Sequence, residues 1–481
     1  MEIKFSNFAN MGAVNIEFTD KINLLAGDNG SGKTLLLEAY SKANDVLLEI
    51  LESKDNIISK TLETIQFNIK LTEIEENRFN DFDDSSTKYN FTIKVSEFSQ
   101  ESRELFSRLK NELTQKIEEA IESKVLYNRL TLSNLEINLG ELEDYFLVEK
   151  KVEISFINDS IFKNEPYLLM KTDDREQGRF LNSESVQELY TLLNSLNNKT
   201  IISTDSSEDF DLLLKYFKIL LTDVITDKFI SKNNVNNITY IPSERIYSMS
   251  KRMEKLFSEN SFLRYSEQKF MTKYLDSKEI RRMSAIFDDN DNDTTSKQFK
   301  DLLGGTLKFD DDDDGDVVSI IDNNGAEIIR ELFSTKQNKL HSLSILEQPF
   351  FYTRRRNLTN NRMLIFEEPE AHLSIKSVFQ MFDYIIKLSK TYKIVISTHS
   401  EIMLSLINNW YLTNVSENSI KGWEILDRED NPTKHIFRRM ELADYGLISE
   451  FINQQLQILQ EQTYNIQTRN LDVKNYDLQT D

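Results

Sequence analysis

The stretch GDNGSGKT, Gly27 to Thr34, constrains this chain more than any other. It fits the pattern GxxxxGK[ST], and its flanks matter as much as the match. Before it, Ile22 to Ala26 is apolar except for Asn23, as a strand buried on both faces should be. After it, Leu35, Leu36, Ala39, Ala43, Val46, Leu47, Ile50 and Leu51 recur at helical spacing. A glycine loop between a buried strand and an amphipathic helix is the setting that a phosphate cradle needs. Gly27, Gly30 and Gly32 let the backbone close around an anion. The N–H groups of the loop, those of Asn29 and Ser31 among them, and the N-terminus of the next helix would face the phosphates. Lys33 brings a point charge to the β- and γ-phosphates, and Thr34 offers a hydroxyl to Mg²⁺. The alternative, a glycine turn that matches by accident, is disfavoured by the strand-loop-helix order.

Two distant segments read as partners of this loop. In MLIFEEPEAHL, Met363 to Leu373, an apolar strand ends in two carboxylates before Pro369 breaks it. Glu367 is placed to hold Mg²⁺, directly or through water, and Glu368 to orient and deprotonate an attacking water. An acidic helix start after a core strand is the structural alternative. In KIVISTHS, Lys393 to Ser400, another buried strand ends in a polar group. His399, one of four histidines, stands where it would meet the γ-phosphate or the attacking water. The interval of about thirty residues between these two segments fits the strand spacing of an α/β sheet.

Composition narrows the remaining classes. At 481 residues the chain has the length of about three domains. It has no cysteine, which excludes disulfides, zinc ribbons, Fe–S clusters and thiol nucleophiles together. No apolar run reaches the roughly 20 residues that span a bilayer, and MEIKFSNFAN has no secretory pattern. These features predict a cytoplasmic protein without a membrane partner. A net charge of −22 argues against coating nucleic acid with the whole surface, though it permits a local basic groove.

The three motifs together resemble the ABC-type ATPase heads of the SMC, RecF and OLD group. There the loop reads GxNGxGK[ST], the carboxylate strand EEPEAHLHP and the switch strand STHS; here they are GDNGSGKT, EEPEAHLS and ISTHS. NITYIPSERI, Asn237 to Ile246, resembles the strand and Ser-Glu-Arg turn of these heads. LLGGTLKF…VVSIIDNNG resembles the hairpin before their signature motif. There are three departures. Glu367 stands where transporter-type members have Asp, Ser374-Ile375 replaces His-Pro, and LSGG is absent. ELFSTKQNKLHSL occupies the place of LSGG, with Ser334 either the serine that meets a partner's γ-phosphate or a helix N-cap. The sequence does not assign the Q-loop glutamine; Gln66 in TIQFNIKL is one candidate.

The resemblance implies an α/β fold, an ABC-type P-loop head with a mixed sheet, an antiparallel subdomain and an α+β insertion. It implies ATP and Mg²⁺ as cofactors, and an assembly of at least two heads, with Ser334 completing the site of a neighbour. The expected layout is a split head over 1–96 and 237–440, an insertion lobe for partner or subunit contacts over 97–236, and a C-terminal helix with a flexible tail over 441–481. Within the insertion, Phe106, Leu109, Leu113, Ile117, Ala120 and Ile121 form one helical stripe. TLSNLEINLG and YFLVEKKVEISF read as strands, and Leu189 to Leu196 and Phe210 to Ile225 as helices. Without sustained heptads or a CxxC hook, the insertion reads as a compact lobe and not a long arm.

The acidic runs Asp288–Asp293 and Asp310–Asp314 read as solvated loops. The basic patch Arg354–Arg356 with Arg362 reads as a phosphate or partner contact, or as a loop before the carboxylate strand. Roughly eighty residues follow His399, too few for the TOPRIM nuclease domain of OLD enzymes, and they read as a hairpin, a helix from Leu447 and a frayed end.

The leading expectation is an ATP-hydrolysing sensor or scaffold subunit of a bacterial antiphage defence system, like the stand-alone ATPases of PARIS or Septu. It would assemble and control a separately encoded effector, a nuclease or toxin, with nucleic acid or a phage protein as trigger. The alternatives are a RecF-like DNA-repair ATPase, and a structural ATP-bound scaffold with little turnover.

Overall fold

The computed structural model describes residues 1–52, 58, 61–62, 68–75, 85–95, 100–126, 132–138, 143–146, 148–158, 167–172, 175–180, 200–202, 218, 221–222, 224–233, 235–243, 263–287, 297–310, 317–347, 362–428 and 431–477. The chain divides into two units, 1–46 with 116–138 and 234–481, and 47–115 with 139–233.

The strands, in chain order, begin with β1 (Glu2–Phe8), β2 (Val14–Glu17) and β3 (Ile22–Gly27). Next come β4 (Asn68–Glu75), β5 (Ser85–Val95), β6 (Leu132–Asn138), β7 (Val148–Asn158), β8 (Tyr167–Thr172), β9 (Arg175–Phe180) and β10 (Thr200–Ile202). β11 (Asn237–Ile241), β12 (Gly305–Asp310), β13 (Val317–Asp322) and β14 (Glu327–Ile329) follow. The last are β15 (Arg362–Glu367), β16 (Lys393–Thr398), β17 (Ile420–Arg428), β18 (Asn431–Arg439), β19 (Glu441–Ala443) and β20 (Gly446–Ile448).

The first unit is built on a six-stranded sheet of order β11-β15-β16-β3-β17-β18. Its first five strands run parallel, and β18 returns antiparallel from β17. β3 is buried at every position, and β15 and β16 at all but their first. Helices cover such a sheet, so its strands read as continuous apolar runs without alternation. Helices Lys33–Glu52, Ile375–Leu388 and Glu401–Thr413 follow β3, β15 and β16 in the chain. In helix Ile375–Leu388, Val378, Met381, Phe382 and Ile385 recur at helical spacing and are buried, in one core with Ile394 and Ile396 of β16. Asn23, the polar residue in β3, is satisfied through Nδ2, which donates to the carbonyls of Asp20 (2.8 Å) and Ile394 (3.2 Å).

β1 pairs antiparallel with β2 on one side and β6 on the other. A hairpin of β12 and β13, extended by β14, precedes the segment of Ser334. The second unit holds an antiparallel sheet of order β10-β4-β5-β7-β8-β9.

The expected α/β class, with a mixed sheet and antiparallel parts, is the observed one. The units divide elsewhere than at 96 and 237. β4 and β5, expected in the head, pair with β7 in the second unit, and β6, expected in the insertion, pairs with β1 in the first. Alternation identifies a strand but not its neighbour, because a free sheet edge accepts any strand of suitable register. Helix Glu450–Asp477 continues through the segment whose sequence predicts a frayed end. Helix Leu189–Leu196, most of helix Phe210–Ile225, Gln66, the runs Asp288–Asp293 and Asp311–Asp314, and Arg354–Arg356 lie outside the described residues. Among the described residues no helix is long and apolar enough to cross a membrane.

Candidate active site

Strand order and register bring the three motifs together. Ala26 of β3 lies opposite Thr398 of β16, and Ser397 of β16 lies opposite Glu367 of β15. The carboxyl ends of three neighbouring parallel strands therefore release Gly27, His399 and the Glu367-Glu368 pair side by side. That edge is where open α/β sheets bind ligands.

The loop after β3 is shaped by its glycines. Gly30 and Gly32 have φ of +81° and +96°, a region that side chains disfavour. A Cβ on Gly27 would stand 3.0 Å from Ser31 Oγ and 3.1 Å from the Ile425 carbonyl of β17. The Ser31 N–H donates to the Asp28 carbonyl at 3.2 Å, and the Asn29 N–H to the Asp28 carboxylate at 2.7 Å. The buried Ser31 hydroxyl has no partner among the described residues. Lys33 Nζ is buried and donates to the carbonyls of Gly27 (2.8 Å) and Asp28 (2.9 Å). Burial lowers its pKa, opposed by the charges of Glu368, Asp28 and Glu367.

The two carboxylates after β15 face different partners. The Thr34 hydroxyl donates to Oε1 of Glu367, and the Ser243 N–H approaches Oε2 at 3.4 Å. Burial raises the Glu367 pKa, opposed by the Thr34 hydrogen bond. Glu368 leaves the strand with φ of +43° while its N–H still donates to the Ser397 carbonyl at 3.0 Å. Its Oε1 stands 3.7 Å from Lys33 Nζ and 3.4 Å from Nδ1 of His399. The His399 side chain is 40% exposed and that of Glu368 20%, whereas Glu367 is buried and Thr34 half-buried, so the Glu368–His399 pair is the more open to solvent.

Ser334 is the N-cap of helix Thr335–Leu340. Its Oγ accepts from the Gln337 N–H at 3.2 Å, and Gln337 Oε1 accepts from the Ser334 N–H at 3.0 Å. Among the described residues no hydrogen bond or ion pair joins Ser334 to the loop Gly27–Thr34. The N-cap reading therefore holds within one chain.

Structure adds residues that the sequence reading left without a role. Asp28 and Glu370 sit inside the quoted motifs, where pattern matching gave them none. Ser243 lies two residues beyond the end of β11, a strand whose neighbour only the sheet reveals. An open cleft of about 570 Å³, bordered by Lys4, Glu17, Lys421 and Trp423, contains none of the motif residues.

The residues fit ATP and Mg²⁺. Among the described residues, a buried hydroxyl without a partner, two glycines at positive φ, a glycine position that a Cβ would crowd and a buried lysine held by two carbonyls near one carboxylate suit a polyphosphate. Thr34 and Glu367 supply a hydroxyl and a carboxylate in contact, hard oxygen donors of the kind that hold Mg²⁺ alongside phosphates and water.

No family model matches the chain, and no curated protein matches it. Solved structures to which it bears some likeness include a Smc head bound to the C-terminal winged-helix domain of ScpA, at 13% identity and a TM-score of 0.35, covering 92% of this chain and 98% of that one. Another is the Pyrococcus furiosus Smc head domain with an extended coiled coil, bound to the C-terminal domain of ScpA, at 14% identity and a TM-score of 0.31, covering 96% and 98%. The SMC head domain from Thermotoga maritima gives 10% identity and a TM-score of 0.29, covering 92% and 98%. Likeness at these scores carries no functional weight; the geometry of the loop and the carboxylates does.

Proposed function

We propose that this chain is an ABC-type head that binds and hydrolyses ATP with Mg²⁺. The observation that supports this best is the meeting of Lys33, Thr34, Glu367, Glu368 and His399 at one sheet edge, although the chain separates Thr34 from Glu367 by 333 positions. Lys33 and the loop N–H groups hold the phosphates. Thr34 and Glu367 hold Mg²⁺, which neutralises charge on the transferred phosphoryl group. Glu368 draws a proton from the attacking water, and His399 orients that water or the γ-phosphate. A second copy brings Ser334 to the phosphate, so ATP joins two or more heads and hydrolysis releases them.

The motifs support the head and not its biological role; the finer role follows a resemblance to stand-alone ATPase subunits such as those of PARIS and Septu. In it this chain is the sensor and scaffold of an antiphage system, holding a separately encoded nuclease or toxin until nucleic acid or a phage protein triggers release. The mass of the purified protein, with and without ATP, tests the first level. Glu368→Gln should accumulate an ATP-bound dimer or larger species that the wild type forms only transiently. Equal masses and equal turnover for the two proteins would overturn the assignment. Co-purification of an effector from the native host tests the second level.

A further inference from the structure

The loop from Glu368 to Leu373 is held in an unusual backbone conformation. Two of its residues that are not glycine, Glu368 and His372, have φ of +43° and +61°. Such conformations persist where the surroundings over-determine them, most often at functional sites.

Three contacts do so here. The Glu368 N–H donates to Ser397 at the end of β16. Lys339 Nζ donates to the Ala371 carbonyl at 2.5 Å, tying the loop to the helix that Ser334 caps. The third contact is the Glu370 side chain, 9% exposed, whose Oε1 accepts from the Thr398 hydroxyl. Thr398 Oγ1 in turn accepts from the Ser400 N–H at 2.9 Å. One carboxyl thus anchors both ends of the turn Thr398–Ser400, and His399 is the residue between them. The second oxygen of Glu370 is buried without a partner among the described residues. A neutral acceptor suits that setting better than an ion.

We propose that Glu370 is a positioning residue for His399: through Thr398 it fixes the turn that holds the imidazole beside Glu368. This rests on the reading of Glu368 and His399 as the hydrolytic pair. The role needs an acceptor at Oε1 and no charge, so Glu370→Gln should satisfy it and Glu370→Ala should not. Thr398→Val removes the same hydrogen bond from the other side at similar volume, and serves if Glu370→Ala does not fold.

The test uses the full chain with ¹³C-labelled histidine. Four histidines give four ring signals, and His399→Gln assigns that of His399. Glu370→Ala and Thr398→Val should move the His399 signal and leave those of His341 and His435 in place. Glu370→Gln should leave all of them in place. In turnover, Glu370→Ala and Thr398→Val should lose on the order of 10²-fold in kcat, as a displaced group does, while ATP affinity stays within about twofold. An unmoved His399 signal in both variants, or a Gln variant as impaired as the Ala variant, would overturn the proposal. A wild type without turnover would sink the hydrolytic reading alone, since the histidine signals still decide whether Glu370 sets the turn.

Discussion

Oε1 of Glu368 stands between two nitrogens: 3.4 Å from Nδ1 of His399 and 3.7 Å from Nζ of Lys33. Its neighbour Glu367 points the other way, onto the Thr34 hydroxyl. Two adjacent carboxylates thus have two environments, one open to a water and one suited to a cation.

Replacing His399 by Gln should lower kcat by about ten- to a hundredfold while ATP still binds, since the group acts on the transition state and contributes little to ground-state affinity. Steady-state turnover and equilibrium binding of a fluorescent ATP analogue separate the two effects. Equal kcat in variant and wild type would remove His399 from the site.

Lys33→Ala should abolish detectable ATP binding. It removes the side chain that now lies on the Gly27 and Asp28 carbonyls, and leaves Glu368 and Glu367 near the phosphates without a compensating charge. Isothermal titration with Mg-ATP reads this directly. Binding at wild-type affinity would mean that the loop is not the cradle.

Gly27→Ala and Gly30→Ala should differ. The first puts a Cβ against Ser31 Oγ, the Ile425 carbonyl and Ile425 Cβ at 3.0, 3.1 and 3.2 Å, which should cost about 1–3 kcal/mol as overpacking does. The second meets nothing within 4 Å and carries only the penalty of its positive φ, about 1–2 kcal/mol. Urea titrations should show both losses, and an ATP affinity that falls further for Gly27→Ala at saturating Mg²⁺.

Glu424 anchors the C-terminal helix. It is buried in β17 and accepts from Arg438 Nε (2.8 Å), the Ser449 hydroxyl (3.0 Å) and the Phe451 N–H (3.1 Å) at the start of helix Glu450–Asp477. Arg438 is largely solvated, so most of the effect comes from the two bonds to the helix start. Glu424→Ala should destabilise the protein by about 2–3 kcal/mol and expose the first turn of that helix to hydrogen exchange. Unchanged protection at Phe451 and Ile452 would contradict it.

Glu38 predicts a pH dependence. Burial raises its pKa above the unfolded 4.5, opposed by hydrogen bonds from Ser266, and its Oε2 has no partner among the described residues. Between the unfolded and folded pKa values the native state binds more protons, so this group takes away stability as pH rises. Glu38→Gln, which keeps an acceptor for Ser266, should therefore be more stable than the wild type at pH 8. The difference should shrink as pH falls toward 4.5. A constant difference across urea titrations from pH 8 to 5.5 would show that Glu38 does not titrate in this range.

Much of this site was legible in the sequence because its parts are local. Gly27 to Thr34, Glu367-Glu368 and His399 each end an apolar run, and the run predicts a buried strand while the residues after it declare their chemistry. Helix Lys33–Glu52 and strands β3, β15 and β16 follow from period and composition alone. Pairing did not follow, since β4, β5 and β6 have sound strand patterns yet join different sheets from those expected. Strand identity is written in neighbouring residues, whereas strand partnership is a choice among free edges across hundreds of positions.

The sequence by itself determined which chemical groups meet at the candidate site: a glycine loop, a lysine, a hydroxyl, two carboxylates and an imidazole. Only the tertiary structure decided their division of labour. The order β15-β16-β3 puts Glu367 against Thr34, and the positive φ of Glu368 turns the next carboxylate toward Lys33 and His399. It also gave Glu370 a partner in Thr398, 28 positions along the chain. Side-chain direction depends on backbone torsions and on packing by residues remote in sequence, and no local pattern encodes either.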